Sequence, residues 1–565
     1  MHLVGIAREI VVAAISEVLP LLSYEEIDNL LEIPPSMELG DYSFPCFTLA
    51  KQLRKSPVVI AKELAEKIPD NRLLEKVVVV HGFVNFYLKK GQLACDLIPK
   101  ICHEGLRYGK STEGAGKSIV IDFSSPNIAK PFSVAHLRST VIGHSLARIW
   151  EHMGYKAEKI NHLGDWGTQF GKVIVAYKRW GEEDSLYPKG SIRHLLELYV
   201  RFHKEAEENP SLDDEARLWF KKLEDGDQEA YKLWAQFRQT SLESLKEVYE
   251  LMGVTFDHYT GESFYNDLIP SAVLKLQPFI EVSEGAEIVP LGDDMPPFLV
   301  RKSDGATLYG TRDLTAAIYR YETFNFTKAL YVVGGEQALH FKQVFAVLKK
   351  LGYDWAENCE HVPFGLMRFG DMKLSTRQGN VIFLEDVLDK SIELTKAIIE
   401  EKNPTLEDKE EVARAVGVGA VIFNDLRNNR IKDINFEWDE LLNFQGDTGP
   451  YIQYTHARAC SLLEKGGRLD EFNLDLLKEP EENVLIISLE RFPEVIKQAA
   501  KNNEPSTVAR YLLNLARDFN KFYQAHRIVD AEEGLANARL MLVAAVKQVI
   551  AEGLFLLGIE APEKM

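Results

Sequence analysis

Apolar and polar positions change period several times along the chain, and each change marks an element. Residues 118–123 (SIVIDF) form a short apolar run suited to a fully buried strand. After a polar turn, Leu137, Val141, Ile142, Leu146 and Ile149 recur at helical spacing. From about 117 to 180 the order is strand, turn, helix, strand, as in the first half of a doubly wound nucleotide fold. Ahead of it, residues 1 to about 112 read as a separate unit: a helix, a polar turn at Gly40, Asp41 and Tyr42, a second helix bearing Lys51, Arg54, Lys55 and Lys62, and a closing strand-like stretch, KVVVVHGFVNFYL, that ends near Leu88. From about 185 to 255 the pattern is charged and helical, and its stripe of Tyr199, Phe202, Trp219, Phe220, Tyr231, Trp234 and Phe237 reads as helix-packing core. Residues 307–314 (TLYGTRDL) run into a helix, residues 333–340 (VGGEQALH) follow the strand-like KALYVV, and from about 440 the chain turns helical. The expected fold is multidomain α/β plus α. It has an α/β unit at 1–112, a doubly wound, parallel-sheet (Rossmann-like) domain at 117–439 with a helical insertion at about 185–255, and an all-α domain at 440–565.

Residues 124–140 (SSPNIAKPFSVAHLRST) place Asn127, Lys130, His136 and Arg138 between the strand and the helix. Such a turn aims backbone N–H groups and a positive dipole end at the crevice, which suits a nucleotide phosphate. Taken alone, it reads as an ordinary βα turn. Residues 372–380 (MKLSTRQGN) combine cations with small residues, a composition able to close over phosphates and neutralise their charge. Taken alone, that segment is a solvated turn. In NHLGDWGTQFG, residues 161–171, glycines beside Asp165, Trp166 and Gln169 mark backbone that passes close to a ligand, while His162 reads equally as a ligand contact or a structural histidine.

Length and charge narrow the class. At 565 residues and 46% apolar content the chain supports three or four packed domains. A net charge of −19 argues against a simple nucleic-acid coat protein but leaves room for local basic patches. The five cysteines (Cys46, Cys95, Cys102, Cys359, Cys460) form no CxxC pair and no even framework, so neither structural zinc nor disulfides are expected and a reducing cytoplasm is implied. The apolar run Ile10 to Ile15 is too short for a signal peptide or a membrane span, and no membrane partner is expected. Nothing demands more than a monomer.

Together, the segments at 124–140 and 372–380 resemble the two nucleotide-binding signatures of class I aminoacyl-tRNA synthetases. The surrounding residues resemble the arginyl-tRNA synthetase family over essentially the whole chain, to the closing LLGIEAPEKM. The family's His-x-Gly-His stands here as Ser133, Val134, Ala135 and His136, with a donor on a shorter arm at the first position and an added methyl at the third. Its Lys-Met-Ser-Lys-Ser loop and following Gly-Asn are matched by Lys373, Ser375, Gly379 and Asn380, with Thr376 and Arg377 replacing the last Lys-Ser. In family members that lack the second lysine, a lysine ahead of the first signature is thought to compensate, and Lys130 occupies that place.

The resemblance implies ATP, accompanied by Mg²⁺, as co-substrate at Ser133, Ala135, His136, Lys373, Ser375, Gly379 and Asn380, with His136, Lys130 and Lys373 as the catalytic groups and no all-protein metal cage. A planar guanidinium offers five donors in a fixed fork, whose complement is carboxylate and carbonyl oxygen in a shaped slot. The resemblance accordingly implies L-arginine with its α-amino and carboxylate end at Asn127 and Gln337 and its side chain at Tyr309, Asp313 and Glu262. It also implies that tRNA-Arg is the acceptor, charged at the 2′-hydroxyl of its terminal adenosine and bound before adenylate forms. The elbow would lie on the N-terminal unit and the anticodon on the C-terminal domain. In GDTGPYIQYTHAR and ARDFNKFYQAHR, aromatics alternate with arginines and can stack unpaired bases, so Tyr451, Tyr454, Phe519 and Tyr523 are expected to bind tRNA; a bundle core is the alternative. Two rival functions stay open: an adenylating enzyme for another small acid, and a tRNA-binding paralogue without catalysis.

Overall fold

The computed structural model describes residues 5–128, 130–302, 309–368, 381–467 and 472–565. At its centre lies a four-stranded, all-parallel sheet in the order Cys359–His361, Lys328–Tyr331, Ser118–Asp122, Lys156–Ile160. The two middle strands are wholly apolar or paired: Ile119, Val120, Ile121, Ala329 and Leu330 are all sealed from solvent. From Ser118–Asp122 the chain runs through the helix Leu137–His152 to one edge, and from Lys328–Tyr331 it runs through Ala338–Lys350 to the other. Between these two middle strands the winding reverses, and such a reversal opens a crevice at the carboxyl ends.

Between Lys156–Ile160 and Lys328–Tyr331 lie three helices, Ile192–Glu208, Ser211–Glu224 and Gln228–Leu251, which pack beside Thr168–Trp180. Tyr199, Phe202, Trp219, Trp234 and Phe237 are buried among them, whereas Tyr231 is exposed. An antiparallel sheet of Glu281–Ser283, Ala286–Val289 and Phe298–Arg301 follows, which the hydrophobic pattern did not announce. It is bonded to the helix Tyr309–Phe324 through Thr311 Oγ1, which donates to the Val300 carbonyl at 2.8 Å.

Three sequence readings change. The expected second helix near Lys51 is two helices, Ala50–Leu53 and Pro57–Ala65, because Arg54 takes a left-handed conformation (φ 53°) and Ser56 caps a new helix with Pro57 in its first turn. The strand-like KVVVVHGFVNFYL is a hairpin of Leu74–Val80 and Phe83–Leu88, turned at His81 and Gly82, both with positive φ. Helical structure begins well before 440, with Leu384–Lys402 and Lys409–Leu426 packed on each other and the latter also on Gly449–Gly466.

Helix Lys90–Glu104 lies against Pro480–Glu490 and Glu533–Leu556 of the C-terminal bundle. The first helix, Ile6–Val18, is docked there too: the Glu490 carboxylate accepts from the Ala7 N–H at 2.7 Å, and Arg8 pairs with Asp28 at 2.6 Å and Glu494 at 2.7 Å. Among the described residues no helix is long and apolar enough to cross a membrane.

Candidate active site

The turn after the central strand is held in a conformation that L-residues rarely adopt. Ser124 and Ser125 both have positive φ (69° and 45°), and hydrogen bonds fix them there. The Ser124 N–H donates to Ser139 Oγ at 2.8 Å, Ser124 Oγ shares a 2.7 Å bond with Tyr249 Oη, and Ser125 Oγ donates to Asp122 Oδ1 at 2.9 Å. This double reversal carries Asn127 against the next loop, where Ile128 N–H donates to the Gly164 carbonyl and Gly164 N–H donates to the Pro126 carbonyl. A Cβ on Gly164 would lie 2.4 Å from Asn127 Oδ1. The glycine expected to admit a ligand therefore admits a side chain of this protein, and Asn127 stays exposed at the crevice.

His136 closes the turn. The Ser133 backbone N–H donates to His136 Nδ1 at 3.1 Å, which leaves the ring proton on Nε2 and makes that atom a donor. Burial, reinforced by the Lys130 charge and partly offset by the Ser133 backbone, pushes the imidazole down to about 4, so it is neutral at physiological pH. Its ring stacks on Phe132 at 5.3 Å. Ala135 is exposed and Ser133 buried. Lys130 Nζ sits 5.8 Å from the centre of the Tyr199 ring in the helical insertion. Arg138, read as a donor of the turn, is instead walled in: both it and Asp425 are 1% exposed, and it also donates to the carbonyls of Gly365 and Lys432 at 2.8 Å. Its Nε and Nη1 are taken up by the protein's own acceptors rather than left for a phosphate.

The stretches on either side of the second signature are fastened beside the first. Val134 N–H donates to the Ile382 carbonyl and Leu384 N–H donates to the Phe132 carbonyl, while Gly335 N–H donates to the Phe364 carbonyl and Met367–Arg368 pairs with Ile434–Asn435. Lys373, Ser375, Gly379 and Asn380, and the departures at Thr376 and Arg377, lie outside the described residues.

Acidic groups gather on the other side of the crevice. Asp313 lies in the opening turns of Tyr309–Phe324, whose first residue, Tyr309, has a side chain outside the described set. His340 Nε2 lies 2.6 Å from Asp313 Oδ2, and His162 Nε2 lies 3.5 Å from Oδ1. Burial works against ionisation of Asp313, but the His340 hydrogen bond and the charges of His162, His340 and Arg320 outweigh it and hold the carboxyl below its usual value. Glu262 begins a short 3₁₀ turn, with its N–H bonded to the Leu163 carbonyl at 2.9 Å. Burial pushes its carboxyl up to about 7, Arg312 opposing and the charges of Asp313 and Asp165 adding. Gln337 is half-buried at the start of Ala338–Lys350, one turn before His340.

Asp165 underpins this group. Wholly buried, it accepts from Ser263 N–H and Oγ at 2.8 Å and from Arg238 Nε at 2.9 Å, so it ties the turn bearing Glu262 to the helical insertion. His340, Arg238 and Tyr249 were missed in the sequence. Only His340 carried a signal, as a polar residue three places after Gln337 on the same helical face.

In the C-terminal bundle the expected aromatics separate. Phe519 is 0% exposed and packs in the core beside Phe522, so its ring has no face to offer a base. Tyr454 and Tyr523 are each 40% exposed, and the Arg458 guanidinium lies 4.9 Å and 4.8 Å from their ring centres. Tyr451 is half-buried and its hydroxyl accepts from Asn520 Nδ2 at 3.0 Å. Tyr451, Tyr454, Arg458, Asn520, Gln524 and Phe444 line one groove of about 670 Å³.

Comparison with known proteins covers nearly the whole chain. Residues 98–438 match the family model for the catalytic domain of class I (R) tRNA synthetases, 452–565 match the DALR anticodon binding domain, and 6–88 match the arginyl tRNA synthetase N-terminal domain. An arginine–tRNA ligase of Ligilactobacillus salivarius is 54% identical over 551 residues, 96% of this chain and 97% of the relative. One of Alkaliphilus metalliredigens is 51% identical over 549 residues, with the same coverage of each. Among solved structures, the arginyl-tRNA synthetase of Thermus thermophilus superposes with a TM-score of 0.86 at 28% identity, covering 99% of this chain and all of its own.

Proposed function

The chain belongs to the class I arginyl-tRNA synthetases and is an arginine–tRNA ligase, and from that premise we propose how its residues divide the work. The guanidinium of L-arginine enters between Asp313 and Glu262, with Tyr309 beside it, and the amino and carboxylate groups meet Asn127 and Gln337. A carboxylate is already ionised and needs no base, so activation rests on placement and charge stabilisation. The arginine carboxylate oxygen attacks the α-phosphorus of ATP, and the bond from that phosphorus to the bridging oxygen breaks as pyrophosphate leaves. His136 donates from Nε2 to a phosphate oxygen, Lys130 and Lys373 neutralise the charge that develops, and Ser133, Ala135, Ser375, Gly379 and Asn380 complete the nucleotide site. Mg²⁺ arrives on the triphosphate oxygens.

The terminal adenosine of tRNA-Arg then attacks the arginyl carbonyl through its 2′-hydroxyl, and AMP leaves. Tyr454 and Tyr523 supply ring faces and Arg458 a cation for unstacked anticodon bases, with Tyr451 deeper in the groove. Exposed Lys51, Arg54 and Lys62 on the N-terminal unit meet the tRNA elbow. The enzyme works as a cytoplasmic monomer. The observation that carries the reading is the pair of carboxylates, Asp313 and Glu262, close enough for the charge of Asp313 to raise Glu262, with Asp313 held by His340 from the helix that follows the second central strand.

Pyrophosphate exchange with each amino acid, with and without tRNA-Arg, tests it. Exchange that requires arginine and tRNA-Arg together is expected. Exchange supported by another amino acid, or none under any condition, contradicts the reading in favour of the adenylating enzyme or the inactive paralogue.

A further inference from the structure

We propose that His340 is a positioning residue for arginine recognition, holding the Asp313 carboxylate in the orientation that receives the guanidinium. The inference rests on the reading of Asp313 as a guanidinium acceptor and adds a residue that acts through it. His340 Nε2 and Asp313 Oδ2 stand 2.6 Å apart, a short hydrogen bond to a carboxylate held ionised. Among the described residues, the carboxylate so held has its second oxygen, Oδ1, 3.5 Å from His162 Nε2, a looser contact that a bidentate guanidinium can replace. His162 is itself fixed from behind, with Nδ1 3.1 Å from the Thr260 carbonyl.

The packing keeps the His340 ring in place. It is buried, lies edge-on to Phe341 at 5.2 Å, and faces Gly310, where a Cβ would come within 3.7 Å of its Cε1 and within 3.0 Å of Phe298. Position in the chain adds a second argument. The helix Ala338–Lys350 opens next to Gln337 and presents His340 a turn later, so one rigid turn sets both the group assigned to the α-end of arginine and the ring that orients the group assigned to its side chain. A geometry of this kind fixes the distance between the two ends of the substrate, which is what separates arginine from shorter or longer cations.

The test is steady-state aminoacylation by the full-length enzyme at varied arginine and varied ATP, for H340A, H340Q, D313N and the H340A/D313N double variant, each with its melting temperature. H340A is expected to raise the arginine KM by roughly 10- to 100-fold, the loss of one hydrogen bond to a charged group, with the ATP KM unchanged. H340Q, whose amide nitrogen reaches the place of Nε2, is expected to recover most of that loss. In the D313N background the H340A change is expected to add little, because the carboxylate it served is gone.

If the alanine variant does not fold, H340N takes its place, with an amide too short to reach Oδ2. A normal arginine KM in H340A beside a raised one in D313N overturns the proposal and leaves the pocket reading standing. A normal arginine KM in D313N removes both. Equal rises in the arginine and ATP KM values with a falling melting temperature, unrescued by glutamine, make His340 a packing residue and also overturn the proposal.

Discussion

Arg138 and Asp425, 287 residues apart in the chain, form an ion pair of 3.0 Å between Nε and Oδ2, and each side chain is 1% exposed. The pair joins the first turn of the helix that follows His136 to the helix Lys409–Leu426, beside the segments flanking the second signature. Burial pushes the Asp425 carboxyl up to about 6, with Arg138 holding it back. R138M should cost roughly 3–5 kcal/mol at neutral pH, because it strands a buried carboxylate. The sign with pH follows from the raised value. Asp425 in the fold sits above an unfolded carboxylate near about 4, so its contribution is full at low pH and is lost as pH rises through about 6. Without Arg138 that value climbs further, and urea unfolding should show the R138M deficit growing from pH 5.5 to pH 8. A deficit independent of pH would mean that Asp425 is not the group left behind.

Arginine recognition should itself depend on pH through Glu262. Its carboxyl, pushed up to about 7, must lose its proton to meet a guanidinium, whereas Asp313 is held below the usual range and stays ionised. The arginine KM is expected to be flat above pH 7 and to rise below it, by up to about tenfold per pH unit. E262Q should abolish that rise. A KM that falls on acidification would contradict the ionised form as the binding form.

Asp313 carries the larger effect. D313A should remove arginine-dependent exchange while ATP binding, followed by equilibrium dialysis, stays near normal, since an unpaired guanidinium in a closed slot costs roughly 2–5 kcal/mol. Near-normal arginine affinity in this variant would refute the pocket.

Lys130 stands near His136, whose imidazole its charge depresses, and 5.8 Å from the Tyr199 ring; the proposed compensation has it take up the charge that a lysine at position 376 would otherwise meet. K130A should slow adenylate formation by orders of magnitude, and T376K should restore part of that rate in single-turnover measurements. Additive effects with no rescue would mean that the two positions serve different phosphates.

The groove around Arg458 separates a binding surface from a core. Tyr454 and Tyr523 are half-open, so replacing either with Leu should leave the melting temperature nearly unchanged and weaken tRNA binding by about 1–3 kcal/mol, the worth of one stacked base. F519L should do the reverse, lowering the melting temperature with little change in the tRNA KM. A destabilised Y454L enzyme with an unchanged tRNA KM would place Tyr454 in the core.

The central strands and their turns were legible because a short, β-branched apolar run that ends in a polar turn and is followed by a helical period matches a sealed parallel strand and its crossover helix, as in Ser118–Asp122 and Leu137–His152. The hairpin turn at His81 and Gly82 and the break at Arg54 were written locally too, in a His-Gly pair and in Ser56-Pro57, but unbroken apolar and basic runs around them masked both. Arg138 was not legible. A buried ion pair and a phosphate donor use the same residue, and the partner that decides between them lies hundreds of positions away. Phe519 and Tyr523 share one helical face at a spacing of four, and burial fades toward the helix end at Ala525, so periodicity alone could not tell core from surface. The pocket acids were placed by resemblance, and the hold of His340 on Asp313 emerged only when Tyr309–Phe324 and Ala338–Lys350 were brought side by side.

The most direct test of the site is a crystal structure with a non-hydrolysable arginyl-adenylate analogue. The account predicts the guanidinium within hydrogen-bonding distance of both Asp313 and Glu262, the α-amino group at Asn127 and Gln337, and the phosphate against His136 Nε2. An analogue bound with its guanidinium away from Asp313 and Glu262, or with its phosphate away from His136, would contradict it.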